Sequence, residues 1–290
     1  MHEIAATARV AFQGEPGAFS QIAARKLLGE AVQTVACPTF ESLFEAIGAG
    51  RAELILAPLE NTLAGPVLRC YDLLYLGSTE GSLRMIGEVV LRISHCVIGC
   101  KGSSLAGIRR IQSHPVALAQ CERFFAAHPE IAKSISDDTA GSVRQIMELG
   151  DARVAAIASE FAAREYGGTI LAEGVEDDSR NFTRFALLEA DAVGTKERYT
   201  EIGGEADATT LVLTVANLPG ALFHSLEPFA NNDVDLMSLV SRPLVGEPWH
   251  YRFFLEVAAG ESDARMKKAL AELAPRTVEL RVLGSYRSGK

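Results

Sequence analysis

The sequence predicts an α/β protein in two parts, a larger region of two lobes followed by a small ferredoxin-like unit. Three observations predict it. Over the first two-thirds, short apolar runs alternate with amphipathic helical patterns. A charged, Gly-containing stretch without apolar periodicity then intervenes at 191–207. The remainder reads strand, helix, strand, strand, helix, strand, which is the βαββαβ order. The expected domains are therefore 1–190 and 208–290, with a linker over 191–207.

In the first region the expected strands are Ala8–Phe12, Thr34–Cys37, Leu54–Ala57, Val89–Ile93, Ile111–Ser113 and Val154–Ile157. Strands separated by helices imply largely parallel sheets, and the stretch is long enough for two lobes with a cleft between them. Within Thr39–Gly48 the residues Phe40, Leu43, Phe44 and Ile47 fall at i, i+3, i+4 and i+7, one helical face. Val143, Ile146 and Met147 repeat that spacing, with Asp138 upstream as an N-cap. In the tail the strands are Thr210–Ala216, Asp235–Val240, Tyr251–Val257 and Val278–Leu283. One tail helix carries Leu222, Leu226 and Phe229. The other carries Met266, Ala269, Leu270 and Leu273 behind a Ser262 cap.

Of the 290 residues, 48% are apolar and 22% charged, an ordinary globular balance with ample material for a core. A net charge of −9 argues against a surface that binds nucleic-acid phosphates. The N-terminus shows no signal-peptide pattern, and no apolar run approaches the roughly 20 residues a membrane helix needs. Cys37, Cys70, Cys96, Cys100 and Cys121 are odd in number and lack zinc-ligand spacing, so they read as reduced, buried thiols in a cytoplasmic protein.

Four polar clusters sit where α/β folds place ligands, at the carboxyl ends of strands. The first, Phe12-Gln-Gly-Glu-Pro-Gly-Ala-Phe-Ser20, combines tight backbone at Gly14 and Gly17 with a following helix whose free N–H groups suit an anion. Taken alone it is also a plain strand-to-helix turn. The second, Pro58-Leu-Glu-Asn-Thr62, brings together an acid, an amide and a hydroxyl, which equally serve as helix caps. In the third, Ser113-His-Pro through Gln120-Cys121, Pro115 suits a first helical turn. There His114 reads as a turn residue, while Gln120 on an apolar helix reads as a cross-link between lobes. In the fourth, Asn181-Phe-Thr-Arg-Phe185, alternation puts Asn181, Thr183 and Phe185 on one strand face and Phe182 and Arg184 on the other. No catalytic triad, Cys–His pair, P-loop or metal spacing is visible.

Together these clusters, with Asp138-Thr-Ala140, stand in the order and spacing of the prephenate dehydratases, and the chain resembles that family from about Arg9 to Tyr286. Ala216-Asn-Leu-Pro-Gly-Ala-Leu222 and Ser241-Arg-Pro243 resemble the regulatory ACT domain such enzymes carry. The resemblance implies a periplasmic-binding-protein-like catalytic region with its site in the interlobe cleft. The reaction it implies turns prephenate into phenylpyruvate, carbon dioxide and water without cofactor or metal. It assigns the key role to Thr183, as a preorganised donor to the departing hydroxide. Glu60 is a candidate acid, provided that burial raises its pKa above about 4.3. Ser20, Asn61, Thr62, Ser113, Thr139 and Arg184 are candidates for binding or shaping the site. By alternation, Arg184 reaches it only through a bulge.

The resemblance also implies a homodimer or homotetramer inhibited by phenylalanine. The effector would lie between the turn of Asn217, Leu218, Gly220, Ala221 and Leu222 in one chain and Ser241-Arg242-Pro243 of another. Two departures from the family pattern are Val116, commonly glutamine, and Val240, commonly glutamate. The rival readings are arogenate dehydratase, the same chemistry on the transaminated substrate, and a non-enzymatic amino-acid sensor.

Overall fold

The computed structural model describes residues 8–80, 83–190 and 205–289. Most of the expected linker and the first seven residues lie outside the described residues. The first lobe is built from β1 (Arg9–Gln13), α1 (Phe19–Leu28), β2 (Gln33–Cys37), α2 (Phe40–Phe44), β3 (Leu54–Asn61), β4 (Gly65–Pro66), α3 (Leu68–Glu80) and β5 (Leu83–Arg92). The chain then crosses to the second lobe. That lobe holds β6 (Cys96–Gly99), β7 (Arg110–Ser113), α4 (Pro115–Ala119), α5 (Glu122–Ala127), β8 (Ala132–Ile135), α6 (Thr139–Leu149), β9 (Val154–Ala158), α7 (Glu160–Tyr166) and β10 (Thr169–Glu173). A second crossing returns the chain as β11 (Phe182–Ala190), inserted between β3 and β5.

Each lobe has the expected parallel core, β2-β1-β3 in the first and β9-β7-β8 in the second. The strands adjoining the crossings run antiparallel to those cores: β11 against β3 and β5, and β6 against β9 and β10. The two crossings are hydrogen-bonded to each other, Ile93 N–H to Asn181 O at 2.8 Å and Val175 N–H to His95 O at 3.1 Å. This paired connection is the hinge.

Local chemistry sets the helix ends. Thr39 and Ser42 form a reciprocal capping box on α2, which stops after five residues rather than reaching Gly48. Asp138 caps α6 as expected by accepting from Gly141 N–H at 2.6 Å. All five cysteines are buried and unpaired. No described helix is long and apolar enough to cross a membrane.

The C-terminal unit comprises β12 (Ala208–Thr214), α8 (Ala221–Asn231), β13 (Leu236–Pro243), β14 (Tyr251–Val257), α9 (Ala264–Leu273) and β15 (Glu279–Tyr286). Its strand order is β13-β14-β12-β15, and α9 is capped by Asp263, one residue beyond the expected Ser262. One sheet face buries Leu211, Leu213 and Leu255 against Phe229, Met266 and Leu273 of the two helices. The other face does not belong to an independent domain. Val212, Phe254, Leu283 and Tyr286 share a core with Leu59 and with Cys70, Tyr71 and Leu74 of α3. Strand β15 also lies parallel to β5, joining the two sheets into one of ten strands. The tail, expected as a separate unit, is thus continuous with the first lobe.

That junction depends on Gly284. A Cβ there would lie 2.8 Å from the Met85 carbonyl carbon and closer still to its oxygen, so backbone meets backbone with no room for a side chain. Gly284→Ala should therefore cost toward the upper end of the about 1–3 kcal/mol typical of overpacking. Equilibrium urea unfolding measures this, and a wild-type midpoint would show that the junction tolerates separation.

Candidate active site

A cleft of ≈ 440 Å³ opens between the lobes beside the hinge. The first lobe lines it with Gln13 from β1, Ala18–Ser20 at the start of α1, Pro58 and Asn61 from β3, and Thr183 and Phe185 from β11. The second contributes His114, Val116, Gln120, Asp138 and Thr139, and the hinge adds Ile93 and His95. Of the residues expected in a site, Ser20, Asn61, Thr139 and Thr183 come together here.

Four others do not. Ser113 is fully buried and its hydroxyl donates to Ile157 O at 2.6 Å, tying β7 to β9. The Thr62 hydroxyl donates to Arg180 O at 2.8 Å and accepts from Phe182 N–H at 2.9 Å, so it pins the start of β11. Arg184 lies on the far face of the sheet, as alternation along β11 requires, and Glu60 lies there too, for a reason alternation alone does not give. The β3–β11 register runs Asn61↔Thr183, Glu60↔Arg184, then Pro58↔Phe185, leaving Leu59 as an extra residue. This bulge turns both Leu59 and Glu60 away from the cleft and brings Pro58 into line with Asn61. The Glu60 side chain is 40% exposed, the opposite of the burial a neutral acid requires. Arg184 is turned toward the C-terminal unit.

Three amides close a ring at the floor of the cleft. Asn61 Nδ2 donates to Asn181 Oδ1 at 2.7 Å, Asn181 Nδ2 donates to Gln120 Oε1 at 2.9 Å, and Gln120 Nε2 donates to Asn61 Oδ1 at 3.3 Å. Gln120 thus cross-links the second lobe to the first, the role its place on an apolar helix suggests. Its Oε1 also meets His95 Nε2 at 3.0 Å, so His95 donates there as the neutral Nε2–H tautomer. Asn61 Nδ2 donates further to the Thr183 hydroxyl at 2.9 Å. With its oxygen accepting from an amide, Thr183 has its own proton free to donate into the cleft.

The cleft is neutral in its donors. Among the described residues no lysine or arginine lines it. The partial positive charge it can offer comes from a helix N-terminus. The first turn of α1 has no side-chain cap, whereas that of α6 is capped by the Asp138 carboxylate. The Gly14–Gly17 turn before α1 is also where the lobes touch. A Cβ on Gly17 (φ +90°) would lie 2.7 Å from Ala162 Cα, and Ser159 Oγ donates to Gly17 O at 2.7 Å. Burial raises the pKa of the Asp138 carboxyl and lowers that of the His95 imidazole. Sequence reasoning missed His95. It lies in no motif, and its only signal is a polar residue where the chain leaves a strand to change lobes.

Comparison with known proteins bears on this geometry. The family described as prephenate dehydratase matches residues 10–193. The chain is 36% identical over 291 residues to arogenate dehydratase/prephenate dehydratase 2, chloroplastic, of Arabidopsis thaliana, covering 96% of this chain and 72% of that protein. It is 31% identical over 285 residues to the bifunctional chorismate mutase/prephenate dehydratase of Escherichia coli K12, covering 97% and 71%. Among solved structures, prephenate dehydratase in complex with L-Phe from Arthrobacter aurescens superposes with a TM-score of 0.85 at 30% identity, covering 97% and 90%. GqqA, described as a novel type of quorum quenching acylase, superposes with the same TM-score at 34% identity, covering 97% and 98%.

The buried imidazole makes stability depend on pH. Burial holds the His95 pKa below the ordinary 6.5, so below that pH the unfolded chain takes up a proton that the folded protein refuses. The unfolded state then binds more protons, and stability falls as pH falls. Urea unfolding at pH 7.5 and 5.5 should show a larger loss for wild type than for His95→Gln. Equal losses would remove His95 as the source.

Proposed function

The chain belongs to the prephenate dehydratase family, and on that premise we propose that the interlobe cleft converts prephenate to phenylpyruvate, carbon dioxide and water, with Thr183 as the group that meets the departing hydroxide. The observation carrying this reading is the Asn61–Thr183 hydrogen bond inside the cleft. As the C–C bond to the ring carboxylate breaks, its electrons pass through the ring and expel hydroxide. Hydroxide is a poor leaving group, and a preorganised donor aimed at it is worth most in the transition state. Asn61 takes the Thr183 lone pair, leaving that hydroxyl as the donor. Phe185, Phe40 and Ile93 offer the ring an apolar wall. The uncapped α1 N-terminus, with Ser20 and the Thr139 hydroxyl across the cleft, suits the pyruvyl carboxylate. Because the described lining holds no fixed cation, no ion pair resists loss of the other carboxylate.

Arogenate dehydratase is the same chemistry with an ammonium in place of the keto oxygen, and names of relatives carry both substrates. Steady-state kinetics on both compounds separates them. The acylase description of GqqA is not carried over. Acyl transfer needs a base on the nucleophile, and the Thr183 hydroxyl is bonded to an amide, which cannot take its proton.

We assign phenylalanine sensing to the C-terminal unit as an ACT domain, a reading supported by the L-Phe complex of the Arthrobacter relative. Gly220 (φ +81°) precedes α8 without a side-chain cap, and the turn of Asn217, Leu218, Ala221 and Leu222 lies beside it. Leu218 is 68% and Phe223 64% exposed, and Ser241 lies exposed on the edge strand β13. These features favour a site completed by a second copy, in a dimer or tetramer. Arg242 leaves that set, because its guanidinium is clamped by Asp72 of α3 at 2.7 and 2.6 Å. Val240 packs at the edge of the shared core. We place the enzyme in the cytoplasm, a setting consistent with five unpaired buried thiols.

Incubating the protein with prephenate and following phenylpyruvate tests the activity. Thr183→Ala should lower turnover by roughly a hundred- to a thousand-fold while changing substrate affinity little. Near-wild-type turnover would take Thr183 out of the mechanism.

A further inference from the structure

We propose that Glu256, on β14 of the C-terminal unit, is a positioning residue for the dehydration, acting through Arg184 on the neighbouring Thr183. The inference rests on the dehydratase reading above. Thr183 and Arg184 are consecutive in β11 and point to opposite faces of the sheet, so any rotation of the strand about its axis moves both. On the cleft face the strand is held by Asn61 through the Thr183 hydroxyl. On the other face it is held by the Arg184 guanidinium, which is almost fully buried. Its Nη1 donates to Glu88 at 2.8 Å and, in a short contact, to Glu256. Its Nη2 lies 3.3 Å from the Tyr71 hydroxyl and 3.6 Å from Glu60.

These anchors are not equivalent. Glu88 is on β5 and Glu60 on β3, the two strands directly paired with β11, so both move with it. Glu256 stands on a strand four places away in the sheet, inside the C-terminal unit. It fixes β11 relative to that unit. The contact has little tolerance. Glu256 is 2% exposed, and the adjoining void of ≈ 10 Å³, bordered by Leu59, Ser238 and Phe254, leaves room for one water at most. The guanidinium therefore follows Glu256 or loses one of its two close buried carboxylates, keeping only Glu88 at hydrogen-bond distance. The bulge at Leu59 lies directly opposite, where irregular pairing lets β11 turn. A shift of a fraction of an ångström at Arg184 then becomes a misaimed hydroxyl in the cleft, and proton donation is steeply sensitive to such error.

The test uses the full chain with prephenate as substrate. Glu256→Gln keeps the shape and removes the charge, and Glu256→Asp keeps the charge and withdraws it by one methylene, securing the test if the neutral variant fails to fold. Each should lower kcat about 10- to 100-fold with KM changed less than about threefold. In a Thr183→Ala background the same change should add less than about twofold, because the group it aims is gone. An active wild type with Glu256→Asp at wild-type kcat overturns the inference. So does a Glu256 effect that multiplies in full on Thr183→Ala, which marks a structural role elsewhere. A wild type that makes no phenylpyruvate overturns the underlying dehydratase reading instead.

Discussion

The ring of Asn61, Asn181 and Gln120 is the interaction on which the site depends. It joins one residue from the first lobe, one from the hinge and one from the second lobe, each amide donating to the next. Neutral amides suit this position because each carries both a donor and an acceptor, so the ring closes without leaving a buried charge. An unpaired buried amide costs about 1–3 kcal/mol, and opening the lobes at this point breaks both of the ring bonds of Gln120 together. The same ring fixes the His95 tautomer through Gln120 and orients the one Asn61 proton that reaches Thr183. Lobe closure and side-chain aim are thus a single hydrogen-bonded unit.

On the other side of β11 the logic is ionic. Arg184 gathers carboxylates from three strands, and Tyr71 and Tyr286 lie close enough for their hydroxyls to be affected. Burial pushes the Tyr71 hydroxyl up to about 12, which keeps it a neutral donor or acceptor in this cluster. A polar strand residue facing a second domain and a polar residue facing the ligand, one position apart, link the C-terminal unit to the cleft without any moving loop. The shared core around α3 and the Arg242–Asp72 pair make the same connection at two further points.

Much of this was legible in the sequence, and the failures have physical causes. Period-two alternation placed Thr183 and Phe185 together and Arg184 opposite, as the strand requires. Gln120 stood out because a polar group on an apolar helix needs a partner, and Asp138 because a cap precedes a periodic run. Glu60 was misread because a bulge has no composition of its own, and one extra residue at Leu59 reverses which face the acid takes. That Thr62 and Ser113 tie backbone was not legible, because such a hydroxyl looks, in sequence, like one that binds a ligand. What the second sheet face of the tail packs against was hidden for a similar reason. The face of β12 and β14 that buries against α3 is as apolar as the face that buries against α8 and α9, and local pattern does not say whose core it joins.

The chemistry of the cleft follows from what its lining offers a dianion. Two carboxylates must enter, and only one must stay. A fixed arginine beside each would bind the substrate well and hold the departing group equally well, so that binding would oppose reaction. Helix N-termini bind differently, with partial charges confined to one turn and aimed along one axis. On the proposed reading, the uncapped one at α1 receives the carboxylate that remains. In the proposed mechanism the one that leaves faces Phe185, Phe40 and Ile93, where a charge is poorly solvated and neutral carbon dioxide is not. Thr183 and its amide stand, in that mechanism, where new charge develops on the departing oxygen. The first lobe supplies both the α1 N-terminus and the Phe185 and Phe40 wall, and the amide ring fixes the second lobe against them.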